Sequence, residues 1–160
     1  NIGNSDVALA ADLKDKGLKE YNLVGIPFVF IVNKDVPVDN LTQQQYVDIL
    51  TGKIKNWQEV GGKDQKITIV HRAKSSGSRA TIAKVVLKGA EFTDDAIVQD
   101  SNGAVRSAIA TTPGALGYVD AAYVDNSVKA LSFEGTAYSI AAVSAGKYPV
   151  FTTGRMFTKG

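Results

Sequence analysis

Short apolar segments alternate with amphipathic ones along almost the whole chain, and this alternation limits the folds that the sequence can adopt. Segments rich in β-branched and aromatic residues predict strands, whereas apolar residues that recur every three or four positions predict helices. Strands that alternate with helices are typical of an α/β fold whose sheet is largely parallel or mixed. The length of 160 residues suits one such domain.

The predicted elements follow from this pattern. Strands are expected at 23–33, 67–71, 97–99, 115–119 and 128–133, with an extended tail at 148–157. Helices are expected at 8–18, 43–52, 79–88, 104–111 and 138–145. Thr42 and Gln45 have the spacing of a capping box at the start of the second helix. Pro27 indicates that its strand is either an edge strand or a segment that crosses between parts of the molecule.

Composition and charge exclude several classes of protein. Lys and Arg number 18 against 16 Asp and Glu, and this near balance does not provide the basic stripe that binds nucleic acid. The longest apolar run, Leu23–Val32, is too short for a membrane span. The chain has no Cys, and His71 is its one histidine, so no metal or other cofactor is expected. Because the sequence lacks an initiator Met and a leader, we expect a processed or trimmed piece.

The stretch from His71 to Arg79 carries the most informative chemistry. A predicted strand runs into a Ser/Gly loop and then into a helix. The first amides of a helix lack intrahelical partners and lie at the positive end of its macrodipole. Gly77 lets the backbone approach a ligand, while Ser76 and Ser78 offer hydroxyl donors. Arg72 presents a planar fork that matches two oxygens of a tetrahedral oxyanion.

A plainer interpretation of these residues stays open. Ser76 or Ser78 could only cap a helix, with Arg72 as a solvated surface charge. The loop also lacks the spacing of a Walker A motif, so nucleotide hydrolysis is not implied. A second candidate stretch, in which an apolar-to-glycine turn leads to Ser5 and Asp6, could likewise be no more than a helix cap.

Several motifs occur in a fixed order along the chain. They are Ile2-Gly3-Asn4-Ser5-Asp6, the segment 27–33, Asn40-Leu41-Thr42, Gly52-Lys53-Ile54-Lys55-Asn56-Trp57, Arg72 with Ser76-Gly77-Ser78, and Pro113-Gly114-Ala115-Leu116-Gly117-Tyr118. In this order and at these separations they resemble the phosphate-binding proteins of bacterial ABC phosphate transporters. The resemblance runs along essentially the whole chain.

The resemblance implies a type II periplasmic-binding-protein-like fold, in which two lobes are joined by crossing strands. It implies one complete lobe at 30–150, with a mixed sheet flanked by helices. It implies that 1–29 form part of the first lobe and a crossing strand, and that 151–160 cross back. Members of the family carry further N-terminal and C-terminal segments, so the chain resembles roughly their central two-thirds. The face that those segments would cover is expected to be apolar and able to drive homodimerisation.

The resemblance also implies a solute-binding protein and not an enzyme. Such a protein captures inorganic phosphate in the cleft between the lobes and delivers it to the permease subunits of an ABC transporter. It is exported to the periplasm or to the outer face of the cell membrane, with a lipid anchor in a Gram-positive host. The alternatives are another tetrahedral oxyanion such as molybdate or sulfate, an enzyme acting on a phosphorylated substrate, and phosphate sensing or adhesion without transport.

The resemblance further implies which residues hold the ligand. Phosphate contacts are implied for Asp6, Arg72, Ser76, Gly77 and Ser78, with Ser5 as a weaker candidate. Phosphate keeps a proton near neutral pH and sulfate does not, so the carboxylate of Asp6 would favour phosphate. Trp57 and Tyr118 are expected to be structural, and His71 is expected to pack or be solvated beside the site.

Overall fold

The computed structural model describes residues 2–5, 8–9 and 16–159. The helices are α1 (Gln43–Leu50), α2 (Gly77–Ile82), α3 (Asn102–Thr111) and α4 (Ile140–Ser144). The strands are β1 (Ile2–Ser5), β2 (Leu18–Val32), β3 (Asn40–Leu41), β4 (Thr68–Arg72), β5 (Ile97–Gln99), β6 (Ala115–Asp120), β7 (Lys129–Ala130), β8 (Ser132–Phe133) and β9 (Phe151–Lys159). A π-helical turn, Ala83–Leu87, continues α2.

Seven strands form one mixed sheet in the order β1-β9-β2-β6-β4-β5, with β7 also paired to β2. Strands β4 and β6 are parallel, as are β4 and β5, whereas β2 runs antiparallel to β6, β7 and β9. A separate parallel pair joins β3 to β8. The mixed sheet with helices packed on it confirms the expected α/β fold.

The long strand β2 changes its neighbour at Pro27. Pro27 is the last residue of β2 that pairs with β9, and Phe28 is the first that pairs with β6. Proline cannot donate a hydrogen bond to a ladder, so it fits a position where the ladder passes from one neighbour to the next. The strand begins already at Leu18, and its role as a crossing strand between lobes stays a prediction.

The second half of β2 is buried on both sides. Phe28, Phe30 and Val32 belong to the larger core cluster, whereas Val29 and Ile31 belong to a second one. Successive side chains of a strand point to opposite faces, so one continuous apolar run supplies both clusters. Three stacked aromatic rings lie within the larger cluster: the ring centroids of Phe30 and Tyr46 are 4.0 Å apart, and those of Tyr46 and Phe133 are 5.4 Å apart.

Helix α1 forms as its sequence predicts. The hydroxyl of Thr42 accepts from the amide of Gln45, and the side chain of Gln45 accepts from the amide of Thr42, which completes the capping box. The side chains of Tyr46, Ile49 and Leu50 are fully buried on one face. The capping box therefore sets where this helix starts, and the apolar face sets which side of it packs on the core.

Some predicted elements differ from the structure. The strand expected at 128–133 is divided into β7 and β8, because β7 pairs with β2 while β8 pairs with β3. The helix expected at 79–88 begins earlier, since Ser76 caps it and Gly77 is its first residue. Most of the helix expected at 8–18 lies outside the described residues, but residues 8–9 are irregular and Leu18 belongs to β2, so both predicted ends are wrong.

Apolar side chains are exposed on the part of the sheet formed by β1, β9 and the first half of β2. Ile2, Leu23 and Val24 are 74%, 56% and 60% exposed. The homodimer expected from an exposed apolar face, and the division into partial and complete lobes, stay predictions. None of the helices in the described part of the chain is long and apolar enough to cross a membrane.

Gly114 closes the turn between α3 and β6 in a conformation that other residues adopt at a cost. Its φ of +69° is left-handed, and a Cβ there would collide with the carbonyl oxygen of Lys66. Its carbonyl accepts a hydrogen bond from Nε1 of Trp57 (2.9 Å), and its amide donates to Oδ1 of Asp35 (3.2 Å). The fully buried Trp57 is therefore held by the backbone of this turn.

We predict that Gly114→Ala lowers the free energy of unfolding by about 3 kcal/mol, because positive φ and a backbone clash add together. Gly135→Ala is the matched control: its φ is +75°, but a Cβ there meets nothing within 4 Å. The control should lose only about 1 kcal/mol. Urea unfolding monitored by Trp57 fluorescence measures both changes, and equal losses would contradict the collision.

Candidate functional site

Three parallel strands end at the same edge of the sheet. Strand β4 ends at Arg72, β5 at Gln99 and β6 at Asp120, and β4 pairs in parallel with both of its neighbours. Helix α2 follows β4, and α3 follows β5. In open α/β sheets, ligands bind in the crevice outside the carboxyl ends of such strands. The chemistry of this edge therefore decides what the fold can bind.

A cleft of about 460 Å³ lies at this edge. One side is formed by Ser78 of α2, Asn102 of α3 and Asp120 of β6. The other side is formed by β1, β2 and β9, and it comprises Asn4, Ser5, Leu23, Val24, Ile26, Phe28, Gly154 and Arg155. The volume falls in the range of small-molecule sites.

Arg72 is held at this edge by neutral oxygen atoms. Its Nη2 donates to the carbonyl oxygen of Asp100 (2.9 Å), and its Nη1 lies 3.3 Å from Oδ1 of Asn102 and 3.5 Å from Oγ of Ser78. Among the residues that the structure describes, no carboxylate forms an ion pair with this guanidinium. Its partners therefore orient the positive charge without cancelling it.

A second arginine holds the backbone of Arg72. Nη1 of Arg79 donates to the carbonyl oxygen of Arg72 (3.0 Å), and its guanidinium lies 4.4 Å from the ring centroid of Phe92. A guanidinium over an aromatic face is attracted by the ring quadrupole, which keeps the side chain in place. Arg79 therefore acts from behind the site by fixing the end of β4.

The serine loop divides into a cap and a cleft residue. Oγ of Ser76 accepts from the amide of Arg79 (3.4 Å), so Ser76 is the helix cap that the plainer interpretation allowed. Ser78 is not the cap: it is 6% exposed, and it lines the cleft beside Arg72. Gly77 between them is the first residue of α2. The interpretation of Arg72 as a solvated surface charge does not fit its three polar contacts.

The remaining two candidates come from the start of the chain. Ser5 is the last residue of β1, and it lines the cleft from the side opposite to Ser78. Asp6 lies outside the described residues. The structure thus brings Ser5 and Ser78 to one cleft, and Arg72 contacts Ser78 and Asn102 of its lining. The assignment of ligand contacts to all of the candidates stays a prediction.

Sequence reasoning missed Asn102. Its Oδ1 lies 3.3 Å from Nη1 of Arg72 and accepts from the amide of Asp120 (3.3 Å), so one side chain joins the guanidinium to the end of β6. Ser101 caps α3 just before it, through the amide of Ala104 (3.1 Å). A strand followed by Ser101-Asn102-Gly103 and a helix repeats the pattern at Ser76. This repeat, together with parallel strands, could have revealed the residue.

His71 packs behind the site and does not face solvent. It is 1% exposed, and its ring meets that of Phe92 edge-on at 4.6 Å. Burial lowers the pKa of His71 to about 4, and the positive charge of Arg79 adds to this shift. The imidazole is therefore neutral at physiological pH. Trp57 and Tyr118 are fully buried, as expected for structural residues.

The sheet edge and the cleft beside the crossing strands define a module of the periplasmic-binding-protein class. The model of a family described as a PBP superfamily domain matches residues 1–160. The chain belongs to this family.

The curated relatives and solved structures are named for phosphate. The phosphate-binding protein PstS of Bacillus subtilis (strain 168) is 43% identical over 164 residues, which cover 99% of this chain and 54% of the relative. A Clostridium perfringens structure with bound phosphate, assigned as a phosphate ABC transporter substrate-binding protein, is 34% identical with a TM-score of 0.92; the match covers 99% of this chain and 65% of that one.

An ABC-type phosphate transport receptor from Vibrio cholerae has a TM-score of 0.85 at 27% identity, with 99% of this chain and 67% of that chain covered. The chain therefore spans about half the length of the curated relative from Bacillus subtilis and about two thirds of these solved structures. Its fold is that of the matching part of those structures.

We predict that His71 makes the protein less stable as the pH falls from 6.5 to 4. The pKa of His71 is about 4 when folded and 6.5 when unfolded, so the unfolded state binds more protons in this range. The loss should reach about 3 kcal/mol, and it should be absent in His71→Phe. Urea unfolding at several pH values measures this difference between the two proteins.

The titration of His71 can also be followed directly, because the chain contains 1 His. Its imidazole proton signals should not titrate between pH 8 and 5. A midpoint near 6.5 in NMR would show that the ring is not held neutral by its surroundings.

Proposed function

We propose that the protein is a solute-binding protein that captures inorganic phosphate in this cleft and delivers it to the permease subunits of an ABC transporter. The observation that carries the proposal is Arg72, a guanidinium at the carboxyl edge of the sheet that only neutral oxygens hold among the described residues. Relatives named for phosphate binding support the same ligand. The chain spans only part of those relatives, so the transport role is proposed for the whole protein.

The residues beside Arg72 suit a tetrahedral oxyanion. A guanidinium fork can donate to two oxygens at once, and the hydroxyl of Ser78 can donate to a third. The amides of Gly77 and Ser78 open α2, and the first amides of a helix have no acceptor within it. Each of these groups is a donor or a positive charge, so together they favour an anion over a neutral solute.

Asp6 is proposed to select phosphate among oxyanions. It directly follows Ser5 in the sequence, and Ser5 lines the cleft. A carboxylate can accept a hydrogen bond from the proton that phosphate keeps near neutral pH. It would meet only lone pairs and like charge on sulfate, and such a contact costs several kcal/mol.

Binding without chemical conversion agrees with the state of His71. An enzyme acting on a phosphorylated substrate would need a general base or a nucleophile with a partner. The one histidine of the chain is buried against Phe92 and neutral, so it does not supply such a base in the cleft. Two alternatives remain. Molybdate or sulfate as the ligand is tested by ligand competition, and sensing or adhesion without transport is tested by the presence of permease partners.

The location follows from the proposed role. A receptor for an ABC importer works outside the cytoplasm, so we propose the periplasm or the outer face of the cell membrane. In a Gram-positive host, a lipid anchor would hold it there.

We predict that Arg72→Ala weakens phosphate binding by at least about tenfold in the full-length protein, because removing a sheltered charged partner typically costs about 2–5 kcal/mol. Arg72→Lys keeps the positive charge but loses the planar fork, so its phosphate affinity should lie between that of the unchanged protein and that of Arg72→Ala. Isothermal titration calorimetry measures these affinities. Arg106→Ala is the control, since Arg106 pairs with Asp125 at the surface (2.8 Å). Unchanged affinity in Arg72→Ala would refute the site.

We predict that Asp6→Asn narrows the preference for phosphate over sulfate, because an amide can donate to an oxyanion that carries no proton. Competition of the two anions in calorimetry at neutral pH measures the ratio. Asp95→Asn is the matched control, because Asp95 is exposed and lies before β5, at the opposite edge of the sheet. If Asp6→Asn left the ratio as it is in the unchanged protein, the selectivity would have another origin.

A further inference from the structure

Strand β9 brings a second guanidinium to the cleft. Arg155 lies opposite Ser5 of β1 and opposite Asn22 of β2 in the strand register. Its side chain is 18% exposed and lines the cleft together with Ser78 and Asn102. Because β9 belongs to the side of the cleft across from α2, Arg155 lines the cleft from the side opposite to Ser78, the residue that Arg72 contacts.

The two arginines differ in their partners. Nε of Arg155 lies 2.6 Å from Oε1 of Glu20, and its Nη1 donates to the carbonyl oxygen of Thr153 (2.6 Å). Oε2 of Glu20 also accepts from the amide of Leu9 (3.3 Å). Arg155 therefore has an opposite charge beside it, whereas Arg72 is held by neutral oxygens.

The ion pair is sheltered from water. The side chains of Arg155 and Glu20 are 18% and 21% exposed, so their charges are screened less than those of a surface pair. A carboxylate at this distance offsets the attraction that the guanidinium exerts on an anion in the cleft. Any anion that enters would compete with Glu20 for the same positive charge.

We propose that Arg155 is a second cationic contact for the bound oxyanion, and that Glu20 restrains its attraction while holding its side chain in place. This inference rests on the proposed function, since it needs an anion in the cleft. Arg155 then joins the side of the cleft formed by β1 and β9 to a ligand that Arg72 and Ser78 hold from the sheet edge.

A purely structural role of the ion pair between Arg155 and Glu20 predicts a different result. If the pair only fastens β9 to β2, then loss of either partner loosens the same strands, and both losses change phosphate affinity in the same direction. If Arg155 attracts the ligand and Glu20 opposes it, then the two losses change affinity in opposite directions. The sign of the change therefore separates the two roles.

The experiment compares phosphate affinity by calorimetry in the full-length protein and in Arg155→Gln, Glu20→Gln and the double variant. We expect binding about fivefold weaker in Arg155→Gln and about threefold tighter in Glu20→Gln. In the double variant the gain from Glu20→Gln should vanish, because there is no longer a guanidinium to release. If the gain persisted there, a long-range effect of the carboxylate would explain it and the proposal would fall.

Arg106→Gln and Asp125→Asn are matched controls, because they make the same changes of charge in a more exposed ion pair. Each should change phosphate affinity by less than about twofold. Two outcomes would overturn the proposal. In the first, Arg155→Gln changes phosphate affinity no more than Arg106→Gln does. In the second, Arg155→Gln and Glu20→Gln change phosphate affinity in the same direction. Thermal unfolding without phosphate shows whether each variant folds. If Arg155→Gln does not fold, Glu20→Gln alone tests the proposal, and phosphate binding by Glu20→Gln that is unchanged or weaker would overturn it.

The outcome for Arg72 keeps the two proposals apart. If the unchanged protein does not bind phosphate, or if Arg72→Ala binds it equally well, the proposed function fails. If Arg72 matters and Arg155 does not, phosphate binding stands and only the second cationic contact is lost.

Discussion

The parallel pairing of β4 with both β5 and β6 is the constraint on which the site depends. It brings the ends of three strands to one edge, so residues far apart in the chain, such as Arg72, Asn102 and Asp120, meet there. Gly117 makes the packing behind this edge close, because a Cβ there would lie 2.7 Å from the carbonyl oxygen of Val70 and 2.8 Å from Cδ1 of Ile109. A side chain at Gly117 would push α3 away and move Asn102 with it.

One strand connects the two sides of the cleft. The second half of β2, after Pro27, is buried in the core. The first half, up to Pro27, pairs with β9. The position of Ser5 and Arg155 relative to Ser78 therefore depends on how β2 passes through Pro27. Because both sides share this strand, the geometry of the cleft depends on this change of pairing.

Local signals were sufficient for the elements whose ends are set by neighbouring residues. The capping box at Thr42, the apolar run of β2 and the serine loop before α2 could all be predicted from the sequence. The division of 128–133 into β7 and β8 could not, because each part is defined by a partner strand that is distant in the chain. Arg155 was missed for the same reason: only the pairing of β9 with β1 and β2 brings it to the cleft.

The contrast between the two arginines shows why neutral partners suit a binding site. An aspartate in place of Asn102 would hold Arg72 more strongly, but its charge would oppose the anion that the guanidinium attracts. The side-chain amide of Asn102 orients Arg72 at a lower electrostatic cost. Its Oδ1 also accepts from the backbone amide of Asp120, so both contacts require the same orientation of the Asn102 side chain. An uncharged acceptor fixed by the backbone thus gives the guanidinium a defined direction and leaves its positive charge available to a ligand.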